Sequence, residues 1–459
     1  MARSTATLAI PAAIVVLLVW AAISVSEIIT GHSANAAFDL RPTLLCISLV
    51  GLSVVSYVVW PNRWNVVAHT QLAFSLIAYV IPIYLLHSLD QLSSEALDLY
   101  YQVVTVGFVV CLLGTVLGAW LAQSVNIGKL VARVDFLALD VQSVISRRVF
   151  VITMLSTAGV LISFAVMGFV PAFAPDPMAA KFFRGVYAAA YAPVAPIYRA
   201  ATSAIALLLP LIVLYAWKKR TLVWVCAAAG SLFVMLLGLL REPAVSGLLL
   251  VVGIAFAIRG KGMLLYLLLL VGAYFVGGGL YYLLATWGVG NFGTVGQSSL
   301  LQQVAAGAPD ISDHLNFLRS WLLRPEYTHG LTFVGGLIPG NFEWNPSVWS
   351  LHVVNPGASI GEISSGGLRL PAPIWGLVGF GWSGVVLVSL LNGVMIGYFA
   401  VLGKKIIPSR SIESATCWLV LYVAITEVLP VFFRLSYLSI LQLVIVVALI
   451  FWRVARTRR

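Results

Sequence analysis

The stretch Met263–Leu284, MLLYLLLLVGAYFVGGGLYYLL, runs for 22 residues without a charge. A helix of about 20 apolar residues spans the hydrocarbon core of a bilayer, and a soluble core rarely buries so long a run without polar relief. Working outward, uncharged apolar runs recur at Leu248–Ile258 and Tyr437–Trp452. Composition points the same way: the 459 residues are 61% hydrophobic and only 9% charged, with a mean hydropathy of +1.01. A soluble chain carries about 25% charged residues. A cytosolic enzyme, a secreted disulfide scaffold and a soluble domain on a single anchor are excluded. The expected fold class is an all-α polytopic membrane protein.

The runs divide into twelve expected spans, at 7–29, 42–60, 69–88, 99–122, 149–172, 200–217, 221–240, 244–258, 263–285, 372–402, 414–432 and 437–452. Ala34-Asn35-Ala36 has the small-x-small look of a cleavage site, but the apolar stretch before it is longer than a signal peptide needs, so the first span is expected to stay uncleaved. The organisation is then nine helices in 1–285, a large outer loop over 286–370, and three helices in 371–459.

Charge orients these helices. With the N-terminus inside, the even loops collect 18 of the 27 cations, including Arg147, Arg148, Lys218, Lys219, Arg220, Lys404 and Lys405. Only Asp135, Asp140 and Glu413 join them, which leaves a net +15 inside and −4 outside. That asymmetry is the positive-inside signature, and it places both termini in the cytoplasm. The basic balance therefore reflects topology and gives no reason to expect a nucleic-acid partner. Of the nine outside cations, eight are arginine: Arg41, Arg184, Arg199, Arg241, Arg319, Arg324, Arg369 and Arg434, with Lys181 the exception. Arginine's planar fork grips phosphate or carboxylate in a bidentate way, so the outer face suits an anionic head group.

Cys46, Cys111, Cys226 and Cys417 all fall within expected spans, where cysteine is a small apolar filler. No CxxC, HExxH or outer DxD motif is present, so no metal site and no cofactor is expected.

The 85-residue outer loop is the largest by far, and a loop that long is usually functional. Within it, 311–324 reads as a short amphipathic helix with Leu315, Leu318 and Leu322 on one face and Trp321 and Leu323 beside them. Asp310 or Ser312 can cap it, and the Arg324-Pro325 step ends it. Lying on the membrane surface and roofing a cavity are both open to such a helix. On the inner side, the apolar positions of 123–148 recur at helical spacing beside basic residues, as in an interfacial anchor on anionic lipid.

Three further places carry charge at expected span ends. Arg241-Glu242-Pro243 sits at an outer junction, either as a simple hairpin or as a functional ion pair at membrane depth. Glu427 and Arg434 bracket another outer hairpin. Arg184 and Arg199 flank a short outer loop containing Tyr187, Tyr191 and Tyr198, a mixture that suits sugar stacking and equally suits a membrane-interface belt.

From His314 to Tyr398 the order of features resembles the oligosaccharide repeat-unit polymerases of bacterial surface polysaccharides (the Wzy-type, O-antigen family). The segment THGLTFVGGLIPGNFEWNP, Thr328–Pro346, is similar to a stretch in their late outer loop. GASIGEISSGGLRLPAP, Gly357–Pro373, is similar to the Gly- and Ser-rich turn that follows, and WGLVGFGWSGVVLVSLLNGVMIGY, Trp375–Tyr398, opens as the family's next span does. The resemblance implies a GT-C-like membrane fold in the bacterial inner membrane, with the active site facing the periplasm. It implies transfer of a growing glycan from polyprenyl pyrophosphate onto a lipid-linked acceptor unit, alongside a chain-length regulator protein. Arg241 is then expected to hold the leaving pyrophosphate, with Arg184, Arg199, Arg319, Arg324, Arg369, Arg434, Tyr187 and Tyr191 binding substrate. Glu362 or His329 is expected to act as base on the acceptor hydroxyl, in a metal-independent reaction. Two alternatives remain: a ligase transferring finished glycan onto lipid A core or protein, and a polysaccharide or lipid transporter.

Overall fold

A computed structural model describes residues 93–124, 139–240, 311–337, 342–357 and 370–406, with short pieces elsewhere such as 44–45, 251–253 and 268–270. Every regular element among the described residues is helical. Four stretches, Ser94–Gln123, Ser143–Met167, Ala179–Lys219 and Ala372–Val401, are long and apolar enough to cross a membrane. Large side chains such as Trp120, Leu155 and Ile162 stand exposed along them, as lipid-facing residues of an all-α membrane protein do.

Five expected spans fall on described residues. Helix α1 is Ser94–Gln123, where 99–122 was expected, and its N-cap Ser93 accepts the Ala96 N–H. Helix α2 is Leu139–Met167, and it ends where Gly168 turns to φ +71. The remaining spans of this set are α5, Ala195–Lys219, α6, Leu222–Leu237, and α10, Ala372–Ile406. Short helices α3, Pro177–Lys181, and α4, Val186–Tyr191, fill the connection between α2 and α5. The spans expected at 7–29, 42–60, 69–88, 244–258, 263–285, 414–432 and 437–452 lie wholly or mostly outside the described residues.

Helices α2, α5 and α6 share one core, built on Val149, Val160, Ile205, Leu208, Ile212 and Met235. The Lys219 ammonium donates to Ser146 Oγ at 3.1 Å and lies 4.1 Å from the Trp224 ring centre. That contact gathers Arg147, Arg148, Lys218, Lys219 and Arg220 at one end of the bundle. Arg184 and Arg199 belong to the other end, where α5 begins. The inner anchor expected over 123–148 is only partly visible: 139–148 is the opening of α2 and continues directly into the span.

A second core holds α1, α10, α7 (Ile311–Leu323) and α9 (Pro346–Val354), with α8 (Leu331–Val334) beside them. Helix α7 matches the amphipathic segment expected at 311–324, and it ends at Arg324-Pro325 as expected. Its apolar face is packed inside the protein. Leu315, Phe317 and Leu318 are fully buried against α1 and α9, while Leu323 is 79% exposed. The helix is a core element, because the flat aromatic faces of Phe317 and Trp349, 5.8 Å apart, complete its apolar side.

Glycine sets the α1–α10 contact. A Cβ on Gly114 or Gly118 would run into the α10 backbone at Leu390 and Val394, and one on Gly393 or Gly397 into the α1 backbone at Cys111 and Thr115. Both helices carry the small-xxx-small spacing that lets backbones touch in a membrane. Residue 107 of α1 lies beside 389 of α10, and 115 beside 397, so the two helices run parallel.

Candidate functional site

The 372–402 span, expected as one helix, is broken. Phe380 (φ −146, ψ 22) and Gly381 (φ 66, ψ −149) interrupt α10 and divide it into a short first limb and a long second limb. A Cβ on Gly376 would strike the backbone of Gly384, and the reverse, although an unbroken helix keeps residues eight apart about 12 Å from each other. The limbs therefore fold back on one another as a tight hairpin. Gly376 and Gly384 make the approach sterically possible, Gly379 leaves room for the Phe333 ring, and only glycine tolerates the backbone angles at 381 without strain.

The turn Tyr327–Gly330 is seated on this break. Thr328 N–H donates to the Val378 carbonyl at 2.8 Å, satisfying a backbone acceptor that the end of the first limb leaves open. Thr328 and Thr332, both fully buried, bond through their hydroxyls at 3.1 Å. The Phe333 ring packs on Phe380 at 5.9 Å and closes over Gly379. Upstream, the Trp321 indole N–H donates to the Glu326 carbonyl at 2.9 Å and its ring meets Tyr327 at 5.6 Å, so the 321–327 turn is pinned as well.

His329 sits at the crest of this turn, exposed, with φ +47 and followed by Gly330 at φ +82. A left-handed backbone costs a non-glycine residue about 1–2 kcal/mol, and such strain is held where the surroundings over-determine it. His329→Gly should accordingly be more stable than His329→Ala by about 0.5–1 kcal/mol, read as the difference in thermal midpoints of the purified variants. Arg319 on α7 and Arg324 just after it are both exposed in the same core unit.

Arg184, Arg199, Tyr187 and Tyr191 belong to the other core unit, beside α2 and α5. Tyr191 is only 3% exposed, with Phe183 stacked on its ring at 3.6 Å, so that face does not receive a sugar. Its hydroxyl accepts the Arg199 Nε–H at 2.7 Å and orients the guanidinium. Tyr187 accepts the Asp176 N–H at 3.3 Å and packs on Phe169 at 4.8 Å. Arg184 lies exposed over the Phe182 ring at 5.2 Å. Arg241, Glu362, Arg369 and Arg434 lie outside the described residues.

Tyr327, Thr328 and the Phe380–Gly381 break escaped the sequence reading. The four glycines of GLVGFGWSG, spaced by two, one and two residues inside an apolar run, were the available signal. Among the described residues no three histidine, cysteine or acidic side chains gather as a metal site. Comparison with known protein families, with curated proteins and with solved structures finds no match to this chain.

Proposed function

We propose that this protein is a membrane glycosyltransferase that polymerises oligosaccharide repeat units carried on polyprenyl pyrophosphate. One observation carries the reading. Two of the three segments in which the chain resembles repeat-unit polymerases, those beginning at Thr328 and at Trp375, meet in space through the Thr328–Val378 hydrogen bond and the Phe333–Phe380 contact. Segments some 50 residues apart that build one joint are the arrangement expected of a single working part rather than two unrelated loops.

The full reading has twelve spans in a GT-C-like arrangement in a bacterial inner membrane, with the outer loop in the periplasm. Helix directions support it. With the N-terminus inside, the fourth and tenth spans both run inward, and α1 and α10 are parallel. In the mechanism, the sugar–pyrophosphate bond breaks as the acceptor hydroxyl attacks the anomeric carbon. The pyrophosphate leaves with the electron pair, and arginines, Arg241 first, take up its growing charge. The hydroxyl proton passes to His329 or Glu362. No nucleotide is consumed, because the donor bond holds the driving force.

The test uses the full-length protein in lipid nanodiscs with lipid-linked repeat units. A ladder of lengthening glycans on polyprenyl pyrophosphate is the expected product. Transfer onto lipid A core instead identifies a ligase, and transbilayer movement of lipid-linked sugar without new bonds identifies a transporter. With His329 as base, both His329→Ala and His329→Gly should slow ladder formation by about 10²–10⁴-fold although they differ in stability. Equal rates in wild type and both variants assign the base to another group.

A further inference from the structure

We propose that the end of the α2–α5–α6 bundle where Lys219 sits is a binding site for the headgroup of an anionic diacyl phospholipid, with Arg147, Lys219 and Arg220 as its cations. The inference stands apart from the glycosyltransferase reading and concerns a different part of the molecule.

Three helices meet at this point through direct side-chain contacts. The Lys219 ammonium, from the last turn of α5, donates to Ser146 Oγ on α2 at 3.1 Å. It also lies 4.1 Å from the centre of the Trp224 ring on α6 and 5.6 Å from that of Tyr215, one turn earlier on α5. Trp224 in turn packs on Phe150 of α2 at 5.2 Å and on Tyr215 at 5.4 Å. A lysine that served solubility alone would extend its flexible stem into water. This one is folded back over two rings and held by a hydroxyl, which fixes its charge at a defined place among the three helices.

The charge around it is one-sided. Arg147 follows Ser146 on α2 and is exposed, and Lys218 and Arg220 flank Lys219 and are exposed as well. Arg220 closes α5 as a left-handed C-cap with φ 51, and Thr221 is already the N-cap of α6, so the cations of this turn stay at the bundle end. Across the whole of α2, α5 and α6 the one acid is Asp140, about two turns before Arg147. Five cations at this end, counting Arg148, therefore stand with a single carboxylate.

The surroundings select a lipid. From Arg147 an exposed apolar line runs along α2 through Val151, Met154 and Leu155, at the spacing of one helix face. Beside the cations of the other two helices, Trp217, Leu222 and Val223 are exposed too. A phosphate above an acyl chain matches this order of surfaces. Its negative charge meets Arg147 and Lys219, its hydrocarbon meets Val151 and Leu155, and Trp217 lies at the boundary, where tryptophan is enriched. A free phosphate or an acidic peptide would leave the apolar line unmet. A zwitterionic lipid brings its own ammonium among five cations, so a net-negative headgroup is favoured. By the charge asymmetry of the chain, this end is expected at the cytoplasmic leaflet. The contact is not the amphipathic anchor expected over 123–148, because its central lysine lies 73 residues beyond the serine that holds it.

The experiment uses the full-length protein in neutral detergent, titrated with phosphatidylglycerol, phosphatidylcholine or inorganic phosphate. Native mass spectrometry reads the bound lipid, and the thermal midpoint is followed in parallel. Wild type should retain phosphatidylglycerol and melt higher with it, and should bind the other two probes at least roughly tenfold more weakly. Arg147→Gln and Lys219→Gln should each weaken phosphatidylglycerol binding about fivefold, and the double variant roughly 25-fold. Lys181→Gln removes a cation at the opposite end of the same bundle and should bind as wild type does. Equal binding of phosphatidylcholine, or an equal response to inorganic phosphate, overturns the anionic-lipid site. Equal weakening by Lys181→Gln also overturns it, by reducing the effect to a diffuse attraction to net charge. Lys219→Gln also removes contacts to Ser146 and Trp224; if it melts below wild type without lipid, Arg147→Gln decides alone, since that side chain stands exposed on α2. Unchanged phosphatidylglycerol binding by Arg147→Gln then overturns the proposal.

Discussion

Gly393→Leu should leave the protein unable to form its α1–α10 core. A leucine Cβ at this position runs into the Cys111 carbonyl and lies 2.9 Å from the Thr115 amide nitrogen, and both are backbone atoms of a helix that cannot turn aside as a side chain can. Relief requires the helices to separate by the width of a side chain, which breaks the contact along its length from Gly107–Ser389 to Thr115–Gly397. Overpacking a tight site costs typically 1–3 kcal/mol, and a clash with backbone belongs at or above the top of that range. Because total stability is about 5–15 kcal/mol, a fall in monodisperse yield and in thermal midpoint is expected. Gly230→Leu is the control, since nothing lies within 4 Å of a Cβ built there, and it should purify as wild type does. Equal yields from the two variants would remove the glycine contact as a determinant of the fold.

The second large effect concerns chemistry. Arg241→Ala, in a host without its own polymerase and at matched abundance, should leave surface glycan at a single repeat unit. In glycosyl transfer from a pyrophosphate, negative charge grows on the leaving group as the bond breaks. A pre-placed cation lowers the barrier more than it strengthens substrate binding. Removing one such group costs about 10²–10³-fold in rate, enough to stop elongation on the time scale of growth. Arg241→Lys tests the geometry. A point charge retains attraction but loses the bidentate fork, so short chains are expected to return before long ones. Long chains in Arg241→Ala would transfer the pyrophosphate role to another arginine. Arg199 is the first to examine next, because Tyr191 already holds its guanidinium in place.

How much of this was legible in the sequence varies with the range of the forces involved. The C-terminal end of α7 was readable because proline acts within a turn, and Arg324-Pro325 stops the helix by local sterics alone. Its buried face was readable in part: Leu315, Leu318 and Trp321 are buried as their spacing indicates, whereas Leu323 and Phe317 are equally apolar and only tertiary contacts, such as that of Phe317 with Trp349, tell them apart. Tyr191 illustrates the same limit within the candidate site. An arginine–tyrosine loop reads as a sugar platform, yet Phe183 covers the ring and leaves Tyr191 to steer Arg199. His329 was identified by residue type, whereas its left-handed backbone and its seat on the α10 break depend on contacts with residues some 50 positions away.

By itself, the sequence determined that the chain is helical and belongs in a membrane. In a bilayer every backbone hydrogen bond must be met within the segment, so an uncharged apolar run of span length has one local solution. The charge count added the expected direction of the spans. Only the tertiary structure decided that one of those runs is two limbs folded into a hairpin. The Phe380–Gly381 break is stable because Thr328 meets the otherwise open Val378 carbonyl and α1 offers glycine to the returning limb. Both partners are remote in sequence, and the energy that favours the break exists only once they are brought together.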